Sequence, residues 1–350
     1  MKAVNFDIKE IGENILIPSS KIDIEPYQGF EFENISKDLV SNSRAENNSI
    51  GAFTNTDFKD PNILDRSKYG PSWYSSETEE KEPKTVVVAT AENLQFKINE
   101  AENGDIISLE AGNYDIPQSL IINKKLTIQS SDKSKVTLNY SGAENSPLFQ
   151  LQPKGFLSLK NVTLKGNNSQ YTFASLKENM FTHFGLTVSD CDISDFNYVL
   201  KVYKESFAER ITFESTSISN CENGLELSEE TNDLGDYNTE YLTINNCKFN
   251  NVKSNVIDYY RGGYDESTIG GNLLVTNSTF TNCGSEEKNG ILINSHGIVN
   301  VDISNNTFNN NPVKLVALLW GAKNNSHKNN EINNSGEIRV EENLEMKLLY

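Results

Sequence analysis

The sequence predicts an all-β fold: a right-handed parallel β-helix from about Thr85 to the C-terminus, led by a short capping helix. Two observations predict it, a strand-like segment that recurs at a near-constant interval and a polar corner residue fixed within each copy. The segments "LSLKNVTLKG", "LTVSDCDISDF", "ITFESTSISNC", "LTINNCKFNN", "LLVTNSTFTNC" and "VDISNNTFNN" share one grammar. Each reads as an alternating strand, a polar corner, a short second strand around an apolar anchor, and a polar turn. The anchors Leu164, Ile193, Ile218, Phe249, Phe280 and Phe308 are separated by 29, 25, 31, 31 and 28 residues. Three positions before each anchor stand Asn161, Asp190, Ser215, Asn246, Asn277 and Asn305, and a weaker copy follows at Asn329 and Ile332.

Such a period marks a repeat architecture, and the contents are strand-like. Leucine-rich repeats would show regular leucine spacing, and propeller blades need four strands per repeat. Parallel coils fit both constraints, each bonding through its backbone to neighbours about 4.8 Å away. Asn suits a corner because it tolerates left-handed dihedrals and its amide can bond to the amide stacked on it. Each buried anchor contributes roughly 1.5–3 kcal/mol.

Taken in chain order, residues 1–84 read as the terminal strands of a preceding domain plus a linker, and residues 85–350 as the β-helix domain. "NILIPSSKIDI" and "GFEFENI" are strand-like but too short to build a core. "PSWYSSETEEKEPK", bracketed by Pro71 and Pro83, has linker composition, and Trp73 within it is expected to dock that linker. Ala91–Ala101 is helix-compatible, with Leu94, Phe96 and Ile98 as packing residues, and would close the open end of the apolar column. "GDIISLEAGNY" then turns at Gly104 and Gly112, and "KKLTIQS" starts the following strand. The acidic "EIRVEENLEMKLLY" should close the far end.

The four cysteines follow the coil register. Cys191 and Cys247 sit two residues before an anchor, Cys221 and Cys283 three residues after one. Same-column residues two coils apart lie roughly 9–10 Å from each other, too far for a disulfide. All four are expected to be buried thiols. No CxxC spacing suggests zinc, and no metal site is expected in this chain.

The formal charge is −18, from 31 basic and 49 acidic side chains. Such a surface repels nucleic acid and anionic membranes unless basic residues are gathered locally. No run of apolar residues is long enough to span a membrane. The N-terminal "MKAVNFDIKEIGENILIP" lacks the profile of a secretory signal.

The order of elements resembles the C-terminal half of two-domain family-six polysaccharide lyases, the alginate lyases related to chondroitinase B. "IGAF" at Ile50–Phe53, "KYGPSWY" at Lys68–Tyr74, the helix followed by "GDIISLEAGNY", and "YYRGGYDESTIGG" at Tyr259–Gly271 carry the resemblance. It implies a tandem of β-helices in which a preceding domain holds the chemistry. Such enzymes cleave uronate-containing polysaccharide by β-elimination: a base takes the C5 proton while calcium or cationic side chains stabilise the enolate. The family's catalytic Lys and Arg and its Asn–Glu–Glu calcium site are not matched here; "LINSHGIVNV" has Ser295 where an Arg would be needed. The resemblance therefore implies an alginate-type polysaccharide and a preceding β-helix domain as partners. It also implies Ca2+ in that other domain only, an extracytoplasmic location, and little or no activity for this chain alone. From a different class, a noncatalytic carbohydrate-binding or cell-surface adhesion β-helix fits the same repeats. A pectin-degrading type of hydrolase would need clustered aspartates on one coil face.

Candidate substrate-binding residues are Tyr260, Arg261, Tyr264, Asp265, Glu266 and His296. On the glycine-hinged loop "RGGYDES", Arg261 could meet a uronate carboxylate and a Tyr could stack on sugar; the bland reading is an internal pair of Arg261 with Asp265 or Glu266. A cation on Asp265 and Glu266 is a weak signal, since adjacent carboxylates alone do not make a calcium loop. His296 is expected on an exposed coil face. "KVYKES" (Lys201–Ser206) offers a Lys and Tyr mixture, though its alternation favours a solvated strand edge. Trp320, after "VKLVALLW", is expected to pack in the core or at the end cap. His183 and His327 show no readable partners.

Overall fold

Alternation, corner and anchor assemble into three parallel sheets that wrap a single apolar column. The computed structural model describes residues 7–10, 16–19, 37–38, 43, 82–88, 90–132, 135–229, 238–262 and 270–341. The chain divides into two units, Met1–Glu82 and Pro83–Tyr350. In the first, Ile8–Glu10 pairs antiparallel with Leu16–Pro18, and Lys37 bridges Ser43. Trp73 and most of the predicted terminal strands and linker lie outside the described residues.

The second unit is a right-handed parallel β-helix. Its faces contain ten, nine and nine strands. A representative coil runs Phe156–Lys160 on the first face, Thr163–Lys165 on the second and Tyr171–Ser175 on the third. Every neighbouring pair within these faces is parallel and joins successive coils.

The anchors stack in register. Tyr114 and Leu138 extend the column at one end, and Ile332 continues it at the other. Phe249, Phe280 and Phe308 pile nearly flat, at 5.0 and 4.9 Å between centroids. All six expected corners have positive φ, from 49° at Ser215 to 60° at Asn305. A second corner, after the short strand, repeats the device at Asp195, Asn220, Asn251, Asn282, Asn310 and Asn334. Its amides bond from coil to coil, as in Asn251 Nδ2 to Asn220 Oδ1 at 2.9 Å and Asn334 Nδ2 to Asn310 Oδ1 at 3.0 Å.

The four cysteines are buried thiols. Cys191 and Cys247 occupy the inward position just past the first corner, alternating with Thr216 and Ser278. The Cys191 and Cys247 amides donate to the Thr216 and Ser278 hydroxyls, at 3.4 and 3.0 Å. Burial pushes three of the thiols up, to about 12 for Cys221 and about 11 for Cys247 and Cys283.

The cap is a short 3-10 turn, Ala91–Asn93, leading into helix α1, Leu94–Glu100. Leu94 and Ile98, four apart, face the column. Phe96 does not: it is 55% exposed, because a residue two positions on points to the opposite side of a helix. Gln95 Oε1 accepts the Ile121 amide at 2.8 Å, and Lys124 Nζ donates to the Asn99 and Ala101 carbonyls at the helix end.

Candidate functional site

The third face departs from strict alternation, and this sets what it shows to solvent. In each of several coils two consecutive residues are buried: Val199–Leu200, Val256–Ile257, Leu292–Ile293 and Val316–Ala317. After each dyad the alternation resumes, so the next residue points out. Lys201, Glu226, Asp258 and Asn294 thereby fall in one outward row, in register across four coils. Two positions further along the strand a second row contains Tyr260, His296 and Trp320. Tyr203 occupies the same place relative to Lys201.

Lys201 forms an ion pair with Glu226, and its ammonium lies 5.3 Å from the Tyr198 ring centroid and 5.8 Å from that of Tyr203. Only 12% of the Lys201 side chain is exposed, against the solvated strand edge expected from sequence. The reason is the inward dyad: it brings Tyr198 to the same side as Lys201, and the rings cover the aliphatic stem. Tyr171 and Tyr198 meet edge to face at 5.1 Å, and the Tyr171 phenol donates to Asn145 Oδ1 at 3.1 Å. Asn294 Nδ2 donates to Asp258 Oδ1 at 2.9 Å.

The electrostatics follow from burial. The Tyr198 phenol is pushed well up, first by desolvation and then by the Glu226 charge. Desolvation followed by the neighbouring Tyr171 and Glu229 raises Tyr203 to about 12. Burial raises the Asp258 carboxyl, opposed by Asn294 and Ser228. At neutral pH these phenols keep their protons and act as hydrogen-bond donors. Lys201 is tied to Glu226. The row thus offers donors and acceptors for hydroxyl groups beside flat rings.

The sequence-predicted residues distribute as follows. His296 lies between Tyr260 and Trp320, at 4.8 and 4.3 Å between centroids. Trp320 is 36% exposed on this outer row, not packed in the core, because Val316–Ala317 form the inward dyad and alternation then places Trp320 outside. Tyr260 is buried beneath its neighbours. Arg261 is buried too: its Nη1 donates to Glu240 Oε2 at 2.7 Å and to the Thr239 carbonyl at 3.3 Å. Gly297, at φ +75°, packs so tightly on Arg261 that a Cβ there would fall 1.7 Å from the Arg261 carbonyl oxygen. Tyr264, Asp265 and Glu266 lie outside the described residues. His183 is exposed and on another face, and His327 is exposed near the end of the stack. Tyr171, Tyr198, Glu226, Asp258 and Asn294 were missed. The signal that could have found them is the apolar dyad followed by a polar residue: "VLK" at Val199–Lys201, "VID" at Val256–Asp258 and "LIN" at Leu292–Asn294.

Among the described residues, no group of three or more His, Cys, Asp or Glu side chains converges as metal ligands would. Glu226 and Asp258 already hold Lys201 and Asn294, so the row does not fit the oxygen cage calcium needs. No described helix is long and apolar enough to cross a membrane.

No protein-family model matches the chain, and no curated protein matches it. Among solved structures, it is similar to the PL6 family alginate lyase AlyGC, at 20% identity and a TM-score of 0.63, covering 96% of this chain and 47% of that one. An arginine-to-alanine mutant of the same enzyme gives 20% identity, a TM-score of 0.64 and the same coverage. The chain thus spans about half the length of the lyase it matches, and the likeness is one of fold.

Proposed function

We propose that this chain is a polysaccharide-binding β-helix of the alginate-lyase type, whose third face seats a uronate-containing glycan while a companion β-helix performs the β-elimination. The observation that carries the reading is the row Lys201–Glu226–Asp258–Asn294 running beside the rings of Tyr260, His296 and Trp320. Carboxylates and amides at coil spacing, about 4.8 Å, can exchange hydrogen bonds with successive sugar hydroxyls. The exposed Trp320 ring, with His296 beside it, supplies the flat apolar contact that a sugar C–H face uses. The fold likeness to a PL6 alginate lyase supports the choice of glycan class.

Proton abstraction at C5 needs a group that can accept a proton at working pH. The phenols of the third face are held protonated by burial, which supports a binding rather than a proton-abstracting role. Any calcium is assigned to the companion domain, and the parent protein to an extracytoplasmic location where such polymers occur. A noncatalytic adhesion β-helix is the second reading, favoured by the same protonated phenols.

Affinity electrophoresis in polymannuronate, polyguluronate and mixed alginate, with ultraviolet absorbance of the unsaturated product, tests this. The chain should be retarded without generating product, and Trp320→Ala should reduce the retardation. Robust turnover by this chain alone would overturn the division of labour, and unretarded migration in all three polymers would overturn the glycan reading. A full-length protein that binds but yields no product would favour the adhesion reading.

A further inference from the structure

A different strip of the molecule combines a preorganised cation with aromatic rings. The first-face strands carry Lys125, Phe156, Gly185, Arg210, Tyr241 and Asn272 in register, toward their N-terminal ends. Arg210 lies over the Tyr241 ring, with Cζ 4.5 Å from the centroid. Gly185 leaves a gap that the Phe156 ring fills: a Cβ at 185 would fall 2.6 Å from Phe156 Cδ1. His183 meets Phe156 and Phe207 edge-on, at 5.3 and 6.3 Å. Both Arg210 and His183 are exposed, and Phe207 is half-buried.

The pairing pattern singles out Arg210. Of the three arginines among the described residues, Arg261 pairs with Glu240 and Arg339 with Glu337. Among the described residues no carboxylate lies within ion-pair distance of Arg210, in a chain whose formal charge is −18. Tyr241 lies beneath the guanidinium, and among the described residues no hydrogen bond or ion pair occupies its donor fork, which suits bidentate carboxylate recognition.

We propose that Arg210, supported by Tyr241, Phe207 and His183, forms a carboxylate-selective subsite for an acidic sugar residue. The carboxylate meets the guanidinium fork, and the sugar ring lies against Phe207 and His183. This rests on the polysaccharide reading for the class of ligand, though not for the position. In the same coil, Tyr203 ends the third-face row and Phe207–Glu214 opens the first face just beyond the corner. The two rows therefore flank one edge of the β-helix, and a glycan crossing that edge would meet hydroxyl-binding groups on one side and a carboxylate-binding group on the other.

The test is titration calorimetry of the full chain with a mannuronate oligosaccharide and with its carboxyl-reduced, neutral counterpart. Wild type should prefer the uronate by about tenfold or more. Arg210→Gln should remove that preference while leaving the neutral ligand's affinity unchanged, and Arg210→Lys should restore only part of it, because an ammonium lacks the fork. Arg210→Gln binding the uronate as wild type does would overturn the proposal, as would equal wild-type affinity for the two ligands or none for either. Trp320→Ala separates the two sites. If it weakens both ligands while Arg210→Gln changes nothing, the third-face reading survives and this one falls. If it is silent while Arg210→Gln removes the preference, this one stands and the third-face placement falls.

Discussion

The ring of Phe280 lies on that of Phe249 at 5.0 Å, with planes 8° apart, although the two residues belong to different coils. Phe308 continues the pile at 4.9 Å and 9°. Each ring is therefore a packing surface for the coils on both sides. Phe280→Ala should cost about 3–5 kcal/mol, by lost transfer energy plus a cavity that flat neighbours cannot collapse into. Phe280→Leu should cost less, since it retains much of the volume. Urea denaturation reads both, and a shift below about 1 kcal/mol for the alanine variant would contradict a shared column.

Asn251 combines a left-handed backbone, φ 57°, with an amide bond to Asn220 one coil away. Asn251→Ala loses the bond and puts a Cβ where the left-handed conformation penalises it, for a combined cost of about 1–3 kcal/mol. Asn251→Gly loses the bond only. Thermal midpoints should fall in the order wild type, Gly, Ala. An alanine variant as stable as the glycine one would mean that the corner conformation carries no cost.

The ion pair of Lys201 and Glu226 is mostly shielded, with side chains 12% and 22% exposed. Lys201→Met leaves the Glu226 carboxylate in partly buried surroundings without its counter-ion, and should destabilise by about 3 kcal/mol. Adding Glu226→Gln removes the stranded charge and should recover at least half of the loss. A double variant that is simply additive would show the pair to be uncoupled.

Asp258 makes stability depend on pH in a direction opposite to that of an ordinary paired carboxylate. Burial raises its carboxyl in the folded state, with Glu226 raising it further and Asn294, Ser228 and Lys201 opposing. Between the unfolded value and this higher one, the folded state binds more protons, so stability falls as pH rises through the interval. Asp258→Asn keeps an acceptor for Asn294 and has no charge to desolvate. Relative to wild type, the variant should gain stability as pH rises from the ordinary carboxylate value, with the gain complete above the raised one. Melting curves of both proteins across that range check the sign. A difference that instead shrinks with rising pH would refute the burial argument.

The repeating corners were legible because the left-handed conformation admits few side chains without cost, so Asn, Asp and Ser mark it in the sequence. The second corner obeys the same chemistry at Asn220, Asn251, Asn282 and Asn310 and was equally available. The third face was not. Its paired inward residues break the period of two, and the loops that follow differ widely in length from coil to coil, so neither alternation nor spacing announces it. For the same reason Trp320 was expected in the core.

Local chemistry in the sequence determined that this chain coils, where it bends and which side chains form the central column, because those choices depend on backbone dihedrals and on burial repeated at each turn. Which outward groups become neighbours was decided only in three dimensions. Lys201 and Glu226, Asp258 and Asn294, and Arg210 and Tyr241 come from different coils. Their meeting depends on inter-coil register, a property of backbone pairing between strands that no single stretch of residues encodes.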